Sequence, residues 1–131
     1  MTVSEPRERS ELGELRIANE VVAVIAGLAA TEVDGVAGMS GGIAGGIAEM
    51  LGRKNLTKGV KVEVGQQQAA VDLYVIVEYG VRIPEVSLNI QQNVKRAIET
   101  MTGLTVVEVN VHIQGVHLPT QEPPAEESRV I

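Results

Sequence analysis

The two histidines are the side chains best suited to acid–base or metal chemistry. His112 is predicted on the polar face of a strand, and His117 follows near the end of that strand. Asp72, Glu78 and Glu108 have the spacing to neighbour His112 across strands, which resembles a metal or acid–base cluster. Charged residues on an exposed sheet face are far more often simply solvated, and no cysteine, HxH or HExxH motif accompanies the histidines. The sequence therefore predicts no catalytic, metal or cofactor site.

A glycine-rich stretch, residues 35–55, is the second place where chemistry could reside. A phosphate-binding P-loop needs four residues between its first glycine and Gly-Lys-Ser/Thr. Here Gly46 and Gly52 bracket five residues, and no hydroxyl follows Arg53 and Lys54. The dinucleotide pattern GxGxxG is also missing. The stretch is interpreted as a tightly packed connection, or as a place where Gly42 and Gly46 allow another helix to approach closely.

Apolar residues within the same stretch have helical spacing and predict a short helix, which so many glycines would make marginal. A small basic cluster follows it and gives a weak case for contact with a lipid surface. The candidate contacts with a partner or with a second copy are therefore the following residues: Gly42, Ile43, Gly46, Ile47, Arg53 and Lys54 in this stretch, together with Tyr74 and His112 on the polar sheet face.

Composition narrows the classes of partner. The 131-residue chain has a formal net charge of −6 and lacks Phe, Trp and Cys. Nucleic acid and anionic lipid attract clustered Lys and Arg, so the acidic balance argues against both. The first residues are charged and do not look like a signal peptide, and the longest apolar run, Val21–Ala30, is half the length that a membrane span needs. We expect a cytoplasmic protein.

Alternation predicts a central hairpin with one apolar face. Its strands cover residues 60–64 and 71–79, with the apolar side chains of Val71, Leu73, Val75, Val77 and Tyr79 on one face. A short strand is expected at residues 13–17. A final strand is expected to place Val107, Val109, Val111 and Ile113 on its apolar face.

Two long helices are predicted to cover that sheet. Asn19 has the right type and place to cap a first helix that runs from Val21 to about Glu32. This helix is apolar on almost every side, which indicates either a central core helix or an oligomer contact, and the two are compatible. Pro84 suits the first turn of the second helix, and Gly103 suits its end. Spacing of three and four residues predicts a core-facing apolar stripe on this helix and a polar side opposite to it. The stripe is Val86, Ile90, Val94, Ala97, Ile98 and Met101, and the polar side is Asn89, Gln92, Asn93, Lys95, Arg96 and Glu99.

These elements predict an α+β fold. It is a two-layer sandwich, with a small mixed or antiparallel sheet of about four strands, two long helices on one face and a short glycine-rich helix. We expect a disordered N-terminal tail over residues 1–11, a domain over 12–118 and a disordered tail rich in Pro and Glu over 119–131.

Several blocks of sequence resemble the alkaline shock protein / Gls24 family of Gram-positive bacteria. They are GELRI before the first helix, EVDGV after it, GRKNLTKGVKVEVG, VEYGVRIPEV and VVEVNVHIQGV. The resemblance runs from about Glu11 to Leu118. It implies a non-enzymatic cytoplasmic α+β protein linked to cell-envelope homeostasis and stress responses, with members that self-associate or are held beneath the membrane by an integral membrane partner.

Two functions follow as expectations. The first is a homo-oligomeric envelope-stress scaffold or adaptor, which works through protein–protein contacts and reaches the inner face of the membrane through an anchor protein. The alternative is a regulatory module that binds an enzyme of lipid or acyl metabolism. Neither requires a cofactor.

Overall fold

A computed structural model describes residues 7–41 and 57–119, with side chains from Ser10 onward. The candidate residues of the glycine-rich stretch (Gly42, Ile43, Gly46, Ile47, Arg53 and Lys54), the short helix predicted there and the expected C-terminal tail beyond residue 119 lie outside these ranges. The elements in chain order are β1 Arg7–Ser10, β2 Gly13–Arg16, α1 Asn19–Thr31, β3 Val36–Met39, β4 Val60–Val64, β5 Gln68–Glu78, α2 Ile83–Thr102 and β6 Thr105–His117.

The main sheet is built around β5. β3 and β4 pair antiparallel with the two halves of one edge of β5, and β6 pairs parallel with the other edge along its whole length. A parallel neighbour requires a crossover connection, and α2 provides it. The sheet is therefore mixed, which is one of the two forms predicted from the sequence. The predicted α+β fold is confirmed.

The core lies between one face of this sheet and the two helices. Val71, Leu73 and Val75 of β5 are completely buried, and Val77 is nearly so. They pack in one cluster with the buried faces of both helices. The predicted inner face of the hairpin is thus confirmed over β5, except for Tyr79, which lies beyond the strand end and is exposed.

The start of α1 differs from the prediction. Asn19 is the first helical residue rather than the cap, and Ala18, in extended conformation, occupies the cap position without a side-chain hydrogen bond. The Asn19 Oδ1 atom is buried and accepts no hydrogen bond from the described part of the chain. The capping prediction was wrong because the helix begins one residue earlier, so this side chain is carried inside the first turn and cannot reach the free N–H groups.

Both predicted ends of α2 are confirmed. Pro84 lies in the first turn, and Gly103 ends the helix with φ 80°, a left-handed conformation that suits glycine. Near that end, Glu99 accepts hydrogen bonds from the Lys95 ammonium at 2.8 Å and from the Val106 N–H at 2.9 Å. These bonds lower the pKa of the Glu99 carboxyl, Lys95 having the larger effect. Glu99 thereby links α2 to the start of β6.

The first part of β6 corrects the predicted face. Ala69 pairs with Val106 and Ala70 with Glu108, so the register skips Val107. Val106 is consequently buried, whereas Val107 is 56% exposed. A bulge of this kind reverses the side-chain alternation locally, which a strict period of two cannot anticipate. After the bulge, Val109, Val111 and Ile113 face the core as predicted.

Two short strands were missing from the sequence prediction. Arg7–Ser10 forms β1 and pairs antiparallel with β2, within the segment expected to be an N-terminal tail. The two form a separate hairpin, so the strand predicted at residues 13–17 does not belong to the main sheet. β3, the other missing strand, follows a turn at Gly35, where φ is 100° and an added Cβ would come within 2.9 Å of Val86. Neither strand has an apolar alternation that would reveal it.

We expect Val75→Asp to unfold the domain. The site is fully buried at the centre of β5, and an unpaired buried carboxylate costs on the order of 3 kcal/mol or more. Val107→Asp is the matched control, because this strand valine is exposed. Circular dichroism with urea titration checks both variants. A Val75→Asp protein that unfolds at the same urea concentration as the control would contradict the assignment of the inner face.

Candidate functional site

The outer face of the sheet brings together the two described residues that were predicted as contacts. Tyr74 and His112 are opposite one another in the parallel register of β5 and β6. Their rings stack with centroids 4.5 Å apart and planes 11° from parallel. The Lys61 ammonium lies 5.7 Å from the centroid of the Tyr74 ring, within range of a cation–π contact. This group is called the Tyr74–His112 cluster below.

Asp72 organises the polar side of the cluster. Its Oδ1 atom lies 3.2 Å from the His112 Nε2 atom and accepts a hydrogen bond from the Asn110 side-chain amide at 3.1 Å. The hydrogen bond to His112, followed by that from Asn110, lowers the pKa of the Asp72 carboxyl, and the charge of Lys61 acts in the same direction. The carboxylate is therefore held ionised and already engaged on this face.

The other acidic residues predicted near His112 have different partners. Glu108 accepts a hydrogen bond from Asn110 at 2.7 Å, and Glu78 lies 2.9 Å from His117. Within residues 7–41 and 57–119, no group of three or more His, Asp or Glu is placed to hold a metal ion. The polar face thus presents two separate His–carboxylate pairs and one aromatic stack.

The opposite surface, on the outside of the helical layer, carries an apolar groove of about 560 Å³. Among the described residues, eight apolar side chains line it, from α1, α2 and the residue before α1. The carboxylates of Glu20 and Glu32 also border the groove. Three of the apolar side chains are substantially exposed to solvent: Val21 at 46%, Leu28 at 50% and Met101 at 69%. We call this surface the α1–α2 groove.

One feature of the sequence pointed to this groove. α1 is apolar around nearly its whole circumference, and the prediction allowed both a core role and an oligomer contact. The structure buries Val22, Ile25, Ala26, Ala29 and Ala30 against the sheet and α2, and it leaves Val21 and Leu28 outside. The contribution of Ala97 and Met101 was not predicted, because both were assigned to the core stripe of α2.

An interhelical hydrogen bond fixes one end of the groove. The Asn93 side-chain amide of α2 donates to the Ala29 carbonyl of α1 at 2.8 Å and to the Glu32 carboxylate at 3.3 Å. Asn93 was predicted on the polar side of α2, but it lies between the helices, where these contacts satisfy it. The bond holds α1 against α2 where Glu32 borders the groove.

The fold and these surfaces define a class, a small two-layer α+β domain with a polar sheet face and an apolar groove on its helical side. The chain belongs to the alkaline shock protein 23 family, described as having a cell envelope-related function, and the match covers residues 7–118. No helix in the described ranges is long and apolar enough to cross a membrane.

Relatives in Gram-positive bacteria agree with this membership. The chain is 44% identical to the Bacillus subtilis protein YqhY over 114 residues, which covers 87% of this chain and 84% of YqhY. It is 39% identical to B. subtilis YloU over 112 residues, 84% of this chain and 93% of YloU. It is 37% identical to a Streptococcus pyogenes stress response regulator gls24 homolog over 111 residues, 84% of this chain and 61% of that protein.

Among solved structures, MamM-CTD shares 16% sequence identity with this chain. The superposition has a TM-score of 0.45 and covers 73% of this chain and 95% of that one. This structural similarity is too low to indicate a function.

Asp72 gives a prediction about pH. Because its pKa is lowered in the folded state, its contribution to stability is complete above the unfolded value and is lost as pH falls through the folded value. Wild type should therefore unfold at higher urea concentration than Asp72→Asn at pH 6, and the difference should shrink below about pH 4. Glu63→Gln, on the same face without bonds to His112 or Asn110, is the control. A difference that persists unchanged into strong acid would contradict the prediction.

Proposed function

We propose that this protein is a non-enzymatic scaffold or adaptor of cell-envelope homeostasis that self-associates through protein–protein contacts. The α1–α2 groove is the observation that carries the proposal. A contiguous apolar patch on a soluble domain costs solvation free energy unless a partner covers it, and such patches mark interaction sites. The cell envelope-related function of the family supplies the setting.

The groove also has the features of a protein-binding surface rather than of a catalytic pocket. Its lining is aliphatic, and Leu28 and Met101 are exposed to solvent. Its only charged groups among the described lining residues are the carboxylates of Glu20 and Glu32. Methionine adapts its shape to a partner at little cost, because its side chain is unbranched, flexible and apolar. The gls24 homolog of Streptococcus pyogenes is described as a stress response regulator, which is consistent with a binding role.

We place the protein in the cytoplasm, at the inner face of the membrane, with an integral membrane protein as its tether. The net charge of −6 opposes direct adsorption to anionic lipid, so a protein anchor explains membrane association better than a lipid contact. Cross-linking in native cells, followed by separate recovery of soluble and membrane fractions, tests this placement. Recovery with a single soluble enzyme of lipid metabolism would instead favour the regulatory module.

Leu28→Glu should weaken self-association by about tenfold or more in dissociation constant, because it places a charge in the apolar centre of the contact. Leu88→Glu is a close control, since Leu88 is 51% exposed on α2 and does not line the groove, whereas Leu28 is 50% exposed. Sedimentation velocity over a range of concentrations measures the effect, and circular dichroism checks the fold. Equal association of the two variants would remove the groove from the proposal.

The glycine-rich stretch remains a second proposed contact. Gly42→Leu and Gly46→Leu should disturb assembly more than folding, because close approach of another helix is the use expected for glycines four residues apart. The same sedimentation experiment, paired with urea titration, separates the two effects. Unfolding of the monomer would show instead that these glycines serve the fold.

A further inference from the structure

One long edge of the main sheet is without a partner strand. β6 pairs with β5 along one side, and no described strand pairs with its other side. At 13 residues, β6 is the longest of the described strands. An edge strand presents a row of N–H and C=O groups that another strand can join. The groups of β6 that are free therefore define what this edge can bind.

The hydrogen bonds of β5 fix the direction of the backbone groups in β6. Tyr74 bonds through both its N–H and its C=O to residues beside β4 and β3, on the opposite edge of β5. Leu73 and Val75, on either side of it, therefore direct their groups toward β6. In a parallel ladder these two bond to the residue opposite Tyr74, which is His112. The residues on either side of His112 consequently direct their N–H and C=O groups to the free edge.

Side chains of α2 cover the first part of this edge. The Val106 N–H donates to the Glu99 carboxylate at 2.9 Å, and the Val106 carbonyl accepts a hydrogen bond from Lys95 at 3.3 Å. The Val109 carbonyl accepts one from the Gln91 side-chain amide at 3.0 Å. These bonds agree with the direction deduced from β5, since both valines face the core. Among the described residues, the cover ends at Val109.

Val111 and Ile113 form the uncovered part of the edge. Within the described chain, their outward N–H and C=O groups have no hydrogen-bond partner. The two residues are about 6.7 Å apart along the strand, a repeat that another extended strand matches. The register of β6 shifts before Glu108 and after Ile113, so the run between them is regular. Lysine and proline, which commonly protect a strand edge, are missing from β6.

The helical side of the uncovered edge is apolar. Val111 and Ile113 turn their side chains to this side and are only partly buried, whereas the β5 residues opposite them are completely buried. Leu88 is 51% exposed and lies three residues before Gln91, on the side of α2 that faces β6. Apolar side chains of an added strand would therefore be buried here.

The outer side of the sheet is acidic. In the described strands β4, β5 and β6, its ionisable side chains are one ammonium, two imidazoles and four carboxylates: Lys61, His112, His117, Glu63, Asp72, Glu78 and Glu108. Opposite charges on neighbouring strands stabilise a sheet, so basic side chains suit this side of an added strand. A second copy of β6 is a poor match, because it would bring Glu108 and no Lys or Arg.

We propose that the free edge of β6 binds an extended segment of a partner protein in which apolar residues alternate with Lys or Arg. The segment adds as a further strand beside Val111 and Ile113. Its apolar side chains lie against Leu88, and its basic side chains lie on the carboxylate side of the sheet. This edge is separate from the α1–α2 groove, so the proposal does not depend on self-association.

A synthetic peptide of alternating Lys and Val, KVKVKVK with blocked ends, tests the proposal by NMR on isotopically labelled protein. We expect the amide signals of Val111 and Ile113 to shift and their hydrogen exchange to slow by about tenfold or more at saturation, because both gain a partner. The His112 amide is the internal reference, since it already bonds to β5. Shifts confined to the α1–α2 groove, or the absence of binding, would overturn the proposal.

Two altered peptides separate backbone pairing from attraction between charges. A peptide methylated at its backbone nitrogens keeps its side chains but cannot donate to a strand, and it should bind about tenfold more weakly or worse. The peptide EVEVEVE keeps the backbone and reverses the charge, and it should also bind about tenfold more weakly. Equal binding of the methylated peptide would exclude strand addition. Equal binding of the glutamate peptide would exclude a basic partner.

Val111→Pro tests the edge from the side of the protein. It removes an outward N–H and leaves the bonds of His112 to β5, so the fold should persist and peptide affinity should fall about tenfold or more. Val111→Thr is the matched control, because it keeps both the N–H and a branched side chain, and its affinity should stay within about twofold of wild type. Equal affinity of the two variants would contradict the proposal. If circular dichroism shows that Val111→Pro is unfolded, the altered peptides decide the matter on wild-type protein.

Hydrogen exchange without peptide tests whether a second copy occupies the edge. The Val111 and Ile113 amides should exchange quickly at every protein concentration, and slowing that grows with concentration would overturn the proposal. Leu28→Glu should bind the peptide as wild type does, because Leu28 lies in the groove. Wild type that binds the peptide but stays monomeric would reject the scaffold proposal alone. Wild type that self-associates without binding the peptide would reject this inference alone.

Discussion

The apolar face of β5 is the constraint on which the rest of the domain depends. Val71, Leu73, Val75 and Val77 are buried in a row, and the chain has no Phe or Trp to span a wide gap above them. The covering helices must therefore approach closely. α1 meets this requirement with small residues, burying Ala26, Ala29 and Ala30 with Val22. Close packing of short branched side chains replaces the bulk that aromatic rings give other small domains.

The same solution creates the exposed groove. A helix that is apolar all round buries more than one face, but a two-layer domain offers it only the sheet and one neighbouring helix. Part of the apolar surface of α1 is then left facing outward, bordered by α2. The Tyr74–His112 cluster on the other side of the sheet has the opposite character, since its polar groups already hydrogen-bond one another. The two sides of the domain thus differ in what they can offer a partner, and the helical side has more to gain from burial.

Much of this architecture could be predicted because the periodic spacing of apolar residues within one segment is enough to identify a strand or a helix. The β4–β5 hairpin and the stripe of α2 are set by alternation and by three- and four-residue spacing, and Gly103 stops α2 where a left-handed residue is needed. Asn19 failed as a predicted cap because a shift of one residue at a helix start changes its role. Val107 failed because a bulge reverses the alternation without a distinctive residue type. In β1 the alternation is between positive and negative residues rather than between apolar and polar ones, and β3 has only four residues, too few to show a pattern.

The candidate surfaces were predictable only in part. The parity of the strands placed Tyr74 and His112 on one face, and their stacking follows once β5 and β6 are known to be parallel and in register. Parallel pairing cannot be deduced from either strand alone. The pairing of Asp72 with His112 and of Glu78 with His117 was therefore not predicted from the sequence. The groove combines residues some seventy positions apart, such as Leu28 and Met101. Only the packing of α1 on α2 brings them together.

The way β3 and β4 share one edge of β5 has a consequence for the stability of that edge. The Ser40 N–H donates to the Tyr74 carbonyl, and the Tyr74 N–H donates to the Gly59 carbonyl, so the chain leaves the sheet and returns to it at a single residue of β5. One residue of β5 therefore anchors the ends of both neighbouring strands. A distortion of the backbone at Tyr74 would consequently loosen β3 and β4 together, although the two strands are some twenty residues apart in the chain.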